Sequence, residues 1–269
     1  MKILFVNHFP LTGSGSGVYT ANLAKSLTRL GHETAIVFPE NRENYEKYDD
    51  IKLYPIFFKN DTDIPNVNQL DMNFPCFTTH PRSIFNFRDM SQEQKLTYEK
   101  AFSNKINQVI EEFKPDIVHA QHIWTLAGIS ATCCQNHNLP LIVTCHGTDL
   151  MGINDETQRN ENWGTNWANH AVSYADYIVT ISKDSNSLTE SIFPMSKNKT
   201  IWIRNGVDSH VFSIDNTINP KTVLTNLGIE KDYKNKKPFT WLFLLSRFSW
   251  CIFFIIYFNF IFSTHFSFY

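Results

Sequence analysis

The chain has 269 residues, 42% of them apolar, with a net charge of −2 from scattered positive and negative side chains. That is enough chain for one large or two modest domains, and the even charge offers no basic face for nucleic acid and no charged binding tail. Five cysteines without a C-x-x-C spacing exclude a zinc knot and a complete disulfide framework, so a reducing compartment is the simpler reading.

The first element is an apolar strand, Ile3 to Val6, with the unbroken hydrophobicity of a strand covered on both faces of a parallel sheet. A small-residue loop follows, containing Gly13, Gly15, Ser16 and Gly17. Glycine there lets the backbone approach a ligand closely, and the helix after it aims its N-terminal dipole at the same point, a place suited to phosphate or carboxylate. That helix is expected from about Val18 to Leu30, with Leu23, Leu27 and Leu30 on its apolar face and Gly31 ending it. A second strand, Thr34 to Phe38, completes a βαβ unit.

Ile51 to Phe58 reads as a third strand, and Lys59 to Asp89 as a long irregular segment with scattered Phe. Asp61-Thr62-Asp63 within it reads as a solvated acidic turn rather than a metal motif. A helix over Ser91 to Phe113 starts at an N-cap serine and stops before Pro115. Strict alternation resumes after it. Ile117-Val118 is a strand with His119 and His122 near its end, Ile123 to His137 a helix, and Leu141 to Cys145 a strand ending in His146-Gly147-Thr148-Asp149. A helix around Asn166 to Tyr174, a strand over Tyr177 to Ile181, a helix over Lys183 to Ile192 and a strand over Thr200 to Ile203 complete the series. The last strand runs into Arg204-Asn205-Gly206-Val207-Asp208. The fold class is therefore α/β, a Rossmann-like parallel sheet with helices on both faces. Its polar residues gather at the carboxyl ends of the strands, the edge where such sheets bind ligands.

A dinucleotide-binding reading draws on the glycine loop and on Glu40 after the second strand. The glycines stand too far from the first strand for that fingerprint, and Thr20 occupies its third glycine position. His119 and His122, three apart at a strand end, do not converge on a metal as an i, i+4 pair on a helix would.

Five segments in order carry a resemblance: GSGVYTANLAKSLTRLGHET from Gly15, KPDIVHAQH from Lys114, TCHGTDL from Thr144, ADYIVTIS from Ala175 and IRNGVDSHVF from Ile203. Together they resemble the N-terminal domain of the retaining glycosyltransferases of family 4, which have the GT-B fold. The family usually has a glycine pair before the helix; here Ser16 stands in for one of them. The resemblance implies transfer of a sugar from a nucleotide-sugar donor to a glycan, lipid or small-molecule acceptor, without a metal cofactor. It implies His146 near the donor sugar as the catalytic residue. Gly15, Ser16 and Gly17 would meet the donor phosphates and the acceptor, with His122, Thr148, Asp149, Asn205 and Gly206 as further substrate-binding residues. A cytoplasmic protein is expected, with peripheral contact at the inner membrane face as an option.

The domain reading is a Rossmann-like domain over 1–212, a connector over 213–238 with helix near Pro220 to Ile229, and a Phe/Ile-rich tail over 239–269. Lys237 to Trp250 resembles the first strand of the family's second, nucleotide-binding domain, with Arg247 at its arginine position, but the matching lysine does not follow. Nor are any two glutamates eight positions apart, the family's E-x7-E spacing. A truncated or frame-shifted product is expected, crippled or inactive alone; a non-catalytic remnant that binds an acceptor through Lys59 to Asp89 is the alternative. The uninterrupted apolar run Cys251 to Phe258 is short of the roughly 20 residues a membrane span needs.

Overall fold

The computed structural model describes residues 1–60, 69–77, 80–154, 163–206, 222 and 226. The chain divides into two compact units, Met1–Asn205 and Gly206–Tyr269. The acidic turn Asp61-Thr62-Asp63, the domain boundary at 212, the connector helix (apart from positions 222 and 226) and the tail lie outside the described residues.

The first unit is built on seven parallel strands: β1 (Lys2–Val6), β2 (Glu33–Glu40), β3 (Ile51–Phe57), β4 (Ile117–Gln121), β5 (Leu141–Cys145), β6 (Tyr177–Thr180) and β7 (Thr200–Trp202). Their order in the sheet is β3-β2-β1-β4-β5-β6-β7, all neighbours parallel. The connections are α1 (Gly15–Arg29), α2 (Gln92–Phe113), α3 (Thr125–His137), α4 (Thr148–Asn154), α5 (Trp163–Tyr174) and α6 (Lys183–Ile192). Strand order reverses between β1 and β4, so the loops leaving these two strands diverge and open a crevice at their carboxyl ends.

Alternate residues of β1 enter two cores. Leu4 and Val6 join the larger one with Phe102 and Ile106 of α2 and Leu126 of α3, whereas Ile3 and Phe5 join the smaller one beneath α1. On α2, Tyr98, Phe102, Ile106, Val109, Ile110 and Phe113 form one buried stripe, each side chain worth roughly 1.5–3 kcal/mol. Ser91 and Gln94 close a capping box at its start, and Lys114 takes the left-handed conformation at its end, φ 53°.

Two expectations are corrected. Helix α1 begins at Gly15 rather than Val18, because Ser14 caps it by accepting from the Gly17 N–H at 3.0 Å. It packs on the sheet through Ser16, Gly17, Thr20, Ala21 and Ala24; Leu23 and Leu27 lie partly buried at its edge, and Leu30 is 74% exposed. The segment after β3 is less irregular than it reads. Met72, Phe74, Cys76, Phe77, Phe87 and Met90 are all buried in the larger core. Helices α3 and α5 touch through glycines. A Cβ on Gly164 would run into the Trp124 ring, and one on Gly128 into the Trp167 carbonyl.

Candidate functional site

The loop leaving β1 starts with a buried pair. Asn7 donates from Nδ2 to the Phe9 carbonyl at 2.7 Å, and His8 packs in the larger core with its Nδ1 3.1 Å from the Tyr98 hydroxyl. The loop then rises to Gly13, whose φ of +87° favours glycine, and enters α1 at Ser14. Gly17 is needed for a different reason: a Cβ there would overlap the Pro10 carbonyl oxygen and stand 2.8 Å from Ser14 Oγ and 3.0 Å from the Leu11 carbonyl carbon. At Gly15 nothing lies within 4 Å of the added atom. Ser16 sits in the first turn of α1 and needs no positive φ, so its place in a glycine pair does not strain the loop. The first-turn N–H groups of Gly15 and Ser16 have no acceptor within the helix, and they carry the positive end of its dipole.

Across the crevice, β5 ends and His146 follows. Asp149 fixes this turn. Its fully buried carboxylate accepts from the N–H groups of Gly147 at 2.8 Å, Leu150 at 3.0 Å, His146 at 3.2 Å and, from the loop after β4, Ile123 at 2.8 Å. One carboxylate thus ties the two strand ends together. The structure places Asp149 beneath the turn, and Thr148, exposed at the start of α4, on its surface.

The His146 side chain is half-buried, and its Nε2 lies 2.9 Å from Gln121 Oε1 at the end of β4. Its ring meets Tyr19 of α1 edge-on at 5.1 Å and His122 at 4.7 Å. Tyr19 is two residues past Gly17, so the ring contact joins the glycine loop to the β5 turn. His122, with φ 69°, lies wholly inside, packed on His8, Phe9 and Phe77. His8 Nε2, His122 Nδ1 and Gln121 Nε2 are buried without hydrogen-bond partners among the described residues. His119 is elsewhere on β4, with Nε2 2.7 Å from Thr144 Oγ1.

Burial, which penalises the imidazolium, sets the charge of these histidines. It lowers His122 to about 3 and His119 to about 4, and with the neighbouring His122 holds His8 well below its usual value. His146 is likewise pushed down by burial and by His122, with Asp149 opposing. The site presents neutral imidazoles at neutral pH.

The other wall of the glycine loop comes from the segment after β3. His80 lies against Gly13, stacks on Phe9 at 5.7 Å and accepts from the Arg82 N–H at 3.1 Å. Arg82 makes a buried ion pair with Glu40 and donates to the Thr12 carbonyl at 3.3 Å. Glu40, the residue a dinucleotide site would turn toward a ribose, also accepts from the Asn41 and Arg42 N–H groups. Its carboxylate is occupied within the protein.

The structure thus brings together Gly15, Ser16, Gly17, His122 and His146, with Asp149 as the tie and Thr148 at the rim. Asn205 is exposed beyond β7; Gly206 begins the second unit and is exposed as well. Sequence reasoning missed His8, Tyr19, Gln121 and the Glu40–Arg82 pair. Gln121 had a signal, a polar residue closing an apolar strand between two histidines; Tyr19 had none. Among the described residues, no group of three or more His, Cys, Asp or Glu could hold a metal ion, and no helix is long and apolar enough to cross a membrane.

A family model described as Glycosyltransferase Family 4 matches residues 13–211. The chain is 22% identical over 258 residues to a glycogen synthase of Streptococcus sanguinis (strain SK36), covering 79% of this chain and 54% of that protein. Among solved structures it is similar to a sucrose-phosphate synthase from Thermosynechococcus elongatus, with a TM-score of 0.58 at 12% identity over 85% of this chain and 52% of the other. A glycosyltransferase from Rickettsia africae gives a TM-score of 0.48 at 15% identity, over 86% and 50%. The chain spans about half the length of the relatives it matches.

Proposed function

The chain belongs to Glycosyltransferase Family 4, and from that premise we propose that its crevice forms one wall of a site that transfers a sugar from a nucleotide-sugar donor to an acceptor hydroxyl with retention. The acceptor would be a glycan, a lipid or a small molecule, and the reaction would need no metal. The observation that carries the reading is the meeting of the glycine loop with His146 across the switch point, joined by the Tyr19–His146 ring contact at 5.1 Å.

The chemistry suits these groups. In such a transfer the bond from the anomeric carbon to the donor phosphate breaks and a bond to the acceptor oxygen forms on the same face; the acceptor proton leaves with the phosphate. Positive charge develops at the anomeric carbon, as in glycoside hydrolysis, so a cation beside it would oppose the reaction. A neutral His146 avoids that repulsion and still hydrogen-bonds a sugar hydroxyl. Phosphate or acceptor oxygens would meet the free N–H groups and dipole of α1.

The test is calorimetric titration of the full chain with UDP-, GDP- and ADP-glucose, beside His146→Ala. One donor should bind with a dissociation constant on the order of 1 mM, and the variant should bind it about tenfold more weakly. No binding of any donor would reject the reading. Micromolar binding unaffected by His146→Ala would place sugar recognition elsewhere.

A further inference from the structure

Gln121 closes β4 with its side chain fully buried. A buried glutamine carries one carbonyl and one NH2 group that need partners. Its carbonyl faces His146 Nε2 at 2.9 Å, while its amide nitrogen has no partner among the described residues. The protein therefore keeps a polar side chain in its interior whose only side-chain hydrogen bond among the described residues is to this imidazole, although leaving amide hydrogens unpaired costs roughly 1–3 kcal/mol.

Everything else around His146 fixes the ring's place without choosing its proton. Its main-chain N–H and that of Gly147 are held by Asp149. Tyr19 meets the ring at 76° and His122 at 41°, contacts made with the ring rather than through its nitrogens. Nδ1 has no hydrogen-bond partner among the described residues. A neutral imidazole has one N–H and one bare nitrogen, and the hydrogen bond made by one decides what the other offers.

We propose that Gln121 is a positioning residue: by accepting from His146 Nε2–H it holds the ring in the Nε2–H tautomer and leaves Nδ1 as an acceptor for a hydroxyl of the bound sugar. The sugar rests on the glycosyl-transfer reading; the tautomer does not. The charged and titratable groups around the ring are His122, His119, Asp149 and Tyr19, none of which offers a hydrogen bond to Nε2.

The experiment is long-range proton–nitrogen correlation spectroscopy on the full chain labelled at histidine nitrogen, with His146 assigned from the signals lost in His146→Asn. Wild type should show His146 as a single Nε2–H tautomer. Gln121→Glu should keep that tautomer and raise the ring's titration midpoint by at least one pH unit, a tenfold gain in proton affinity. Gln121→Leu should give a mixture of tautomers. A wild-type Nδ1–H form or mixture overturns the proposal even if the leucine variant does not fold, as does a Gln121→Glu spectrum with an unmoved midpoint. An unchanged tautomer in a folded Gln121→Leu overturns it too. If the tautomer behaves as stated and no nucleotide sugar binds, the transfer reading fails and the role of Gln121 stands.

Discussion

Replacing Gly17 with alanine adds one carbon where the chain has left no room. The new Cβ would overlap the Pro10 carbonyl oxygen and crowd Ser14 Oγ at 2.8 Å and the Leu11 carbonyl carbon at 3.0 Å. Two of these neighbours are backbone, so no side-chain rotation relieves them; the loop has to move from α1 or the first turn has to open. Overpacking of this kind costs about 1–3 kcal/mol, and displacing Ser14 from the Gly17 N–H adds about 1 kcal/mol for the lost cap. A sum of about 3 kcal/mol would lower the melting temperature by roughly 6–12 °C in a unit of this size. Gly15→Ala is the internal control. Two residues earlier in the same turn, with no atom within 4 Å of its Cβ and no positive φ, it should be neutral or stabilise by up to about 1 kcal/mol. Thermal unfolding followed by circular dichroism checks both. Equal melting temperatures for Gly17→Ala and wild type, or equal losses in the two variants, would refute the close-approach argument.

Asp149→Ala removes the acceptor of four backbone N–H groups and should destabilise by roughly 3–5 kcal/mol, read as an early denaturation midpoint, with a smaller loss for Asp149→Asn. Arg82→Met leaves the Glu40 carboxylate buried without its partner, for a loss of about 3–5 kcal/mol; Glu40→Met added to it should restore much of the stability, and a double variant no better than the single would disprove the pairing. Stability should fall with acid. His8, His80, His119, His122 and His146 are neutral when folded, with values below the ordinary 6.5, so below pH 6.5 the unfolded chain binds protons that the folded one does not. Their contribution is fully present above pH 6.5 and is lost as pH falls toward 4 for His119 and 3 for His122, at about 1.4 kcal/mol per pH unit for each histidine. Urea titrations at pH 7.5, 6 and 5 should show this slope, reduced by about a fifth in His122→Asn; a flat profile would contradict the buried, neutral state.

Much of the fold was legible because its signals are local. Strand β5 and helix α6 were read with the observed bounds, as members of the strict strand–helix alternation. The start of α2 was read from Ser91 as its N-cap. Leu30 was assigned to a buried face because its spacing fits one, yet α1 lies so close to the sheet that only Gly, Ala, Ser and Thr fit beneath it. Spacing reports the direction of a side chain; it does not report the distance to what it faces. The phenylalanines between β3 and α2 read as scattered because their partners, such as His8 for Phe77 and Phe87, are remote in sequence.

The site divides along the same line. By itself the sequence determined that a glycine loop follows the first strand, that His146 follows another, and that both belong to the carboxyl edge of one parallel sheet, since each depends only on neighbours along the chain. The tertiary structure decided what the residues there do. It turned Asp149 inward as the tie between two strand ends, filled the pocket behind His146 with the buried rings of His8 and His122, and gave Glu40 to Arg82. It also separated three glycines that look alike in sequence, because Gly13 is required by its φ, Gly17 by the Pro10 carbonyl above it, and Gly15 by neither. Such distinctions depend on which atom stands a few ångströms away across the fold, and that is set only when all the strands are in place.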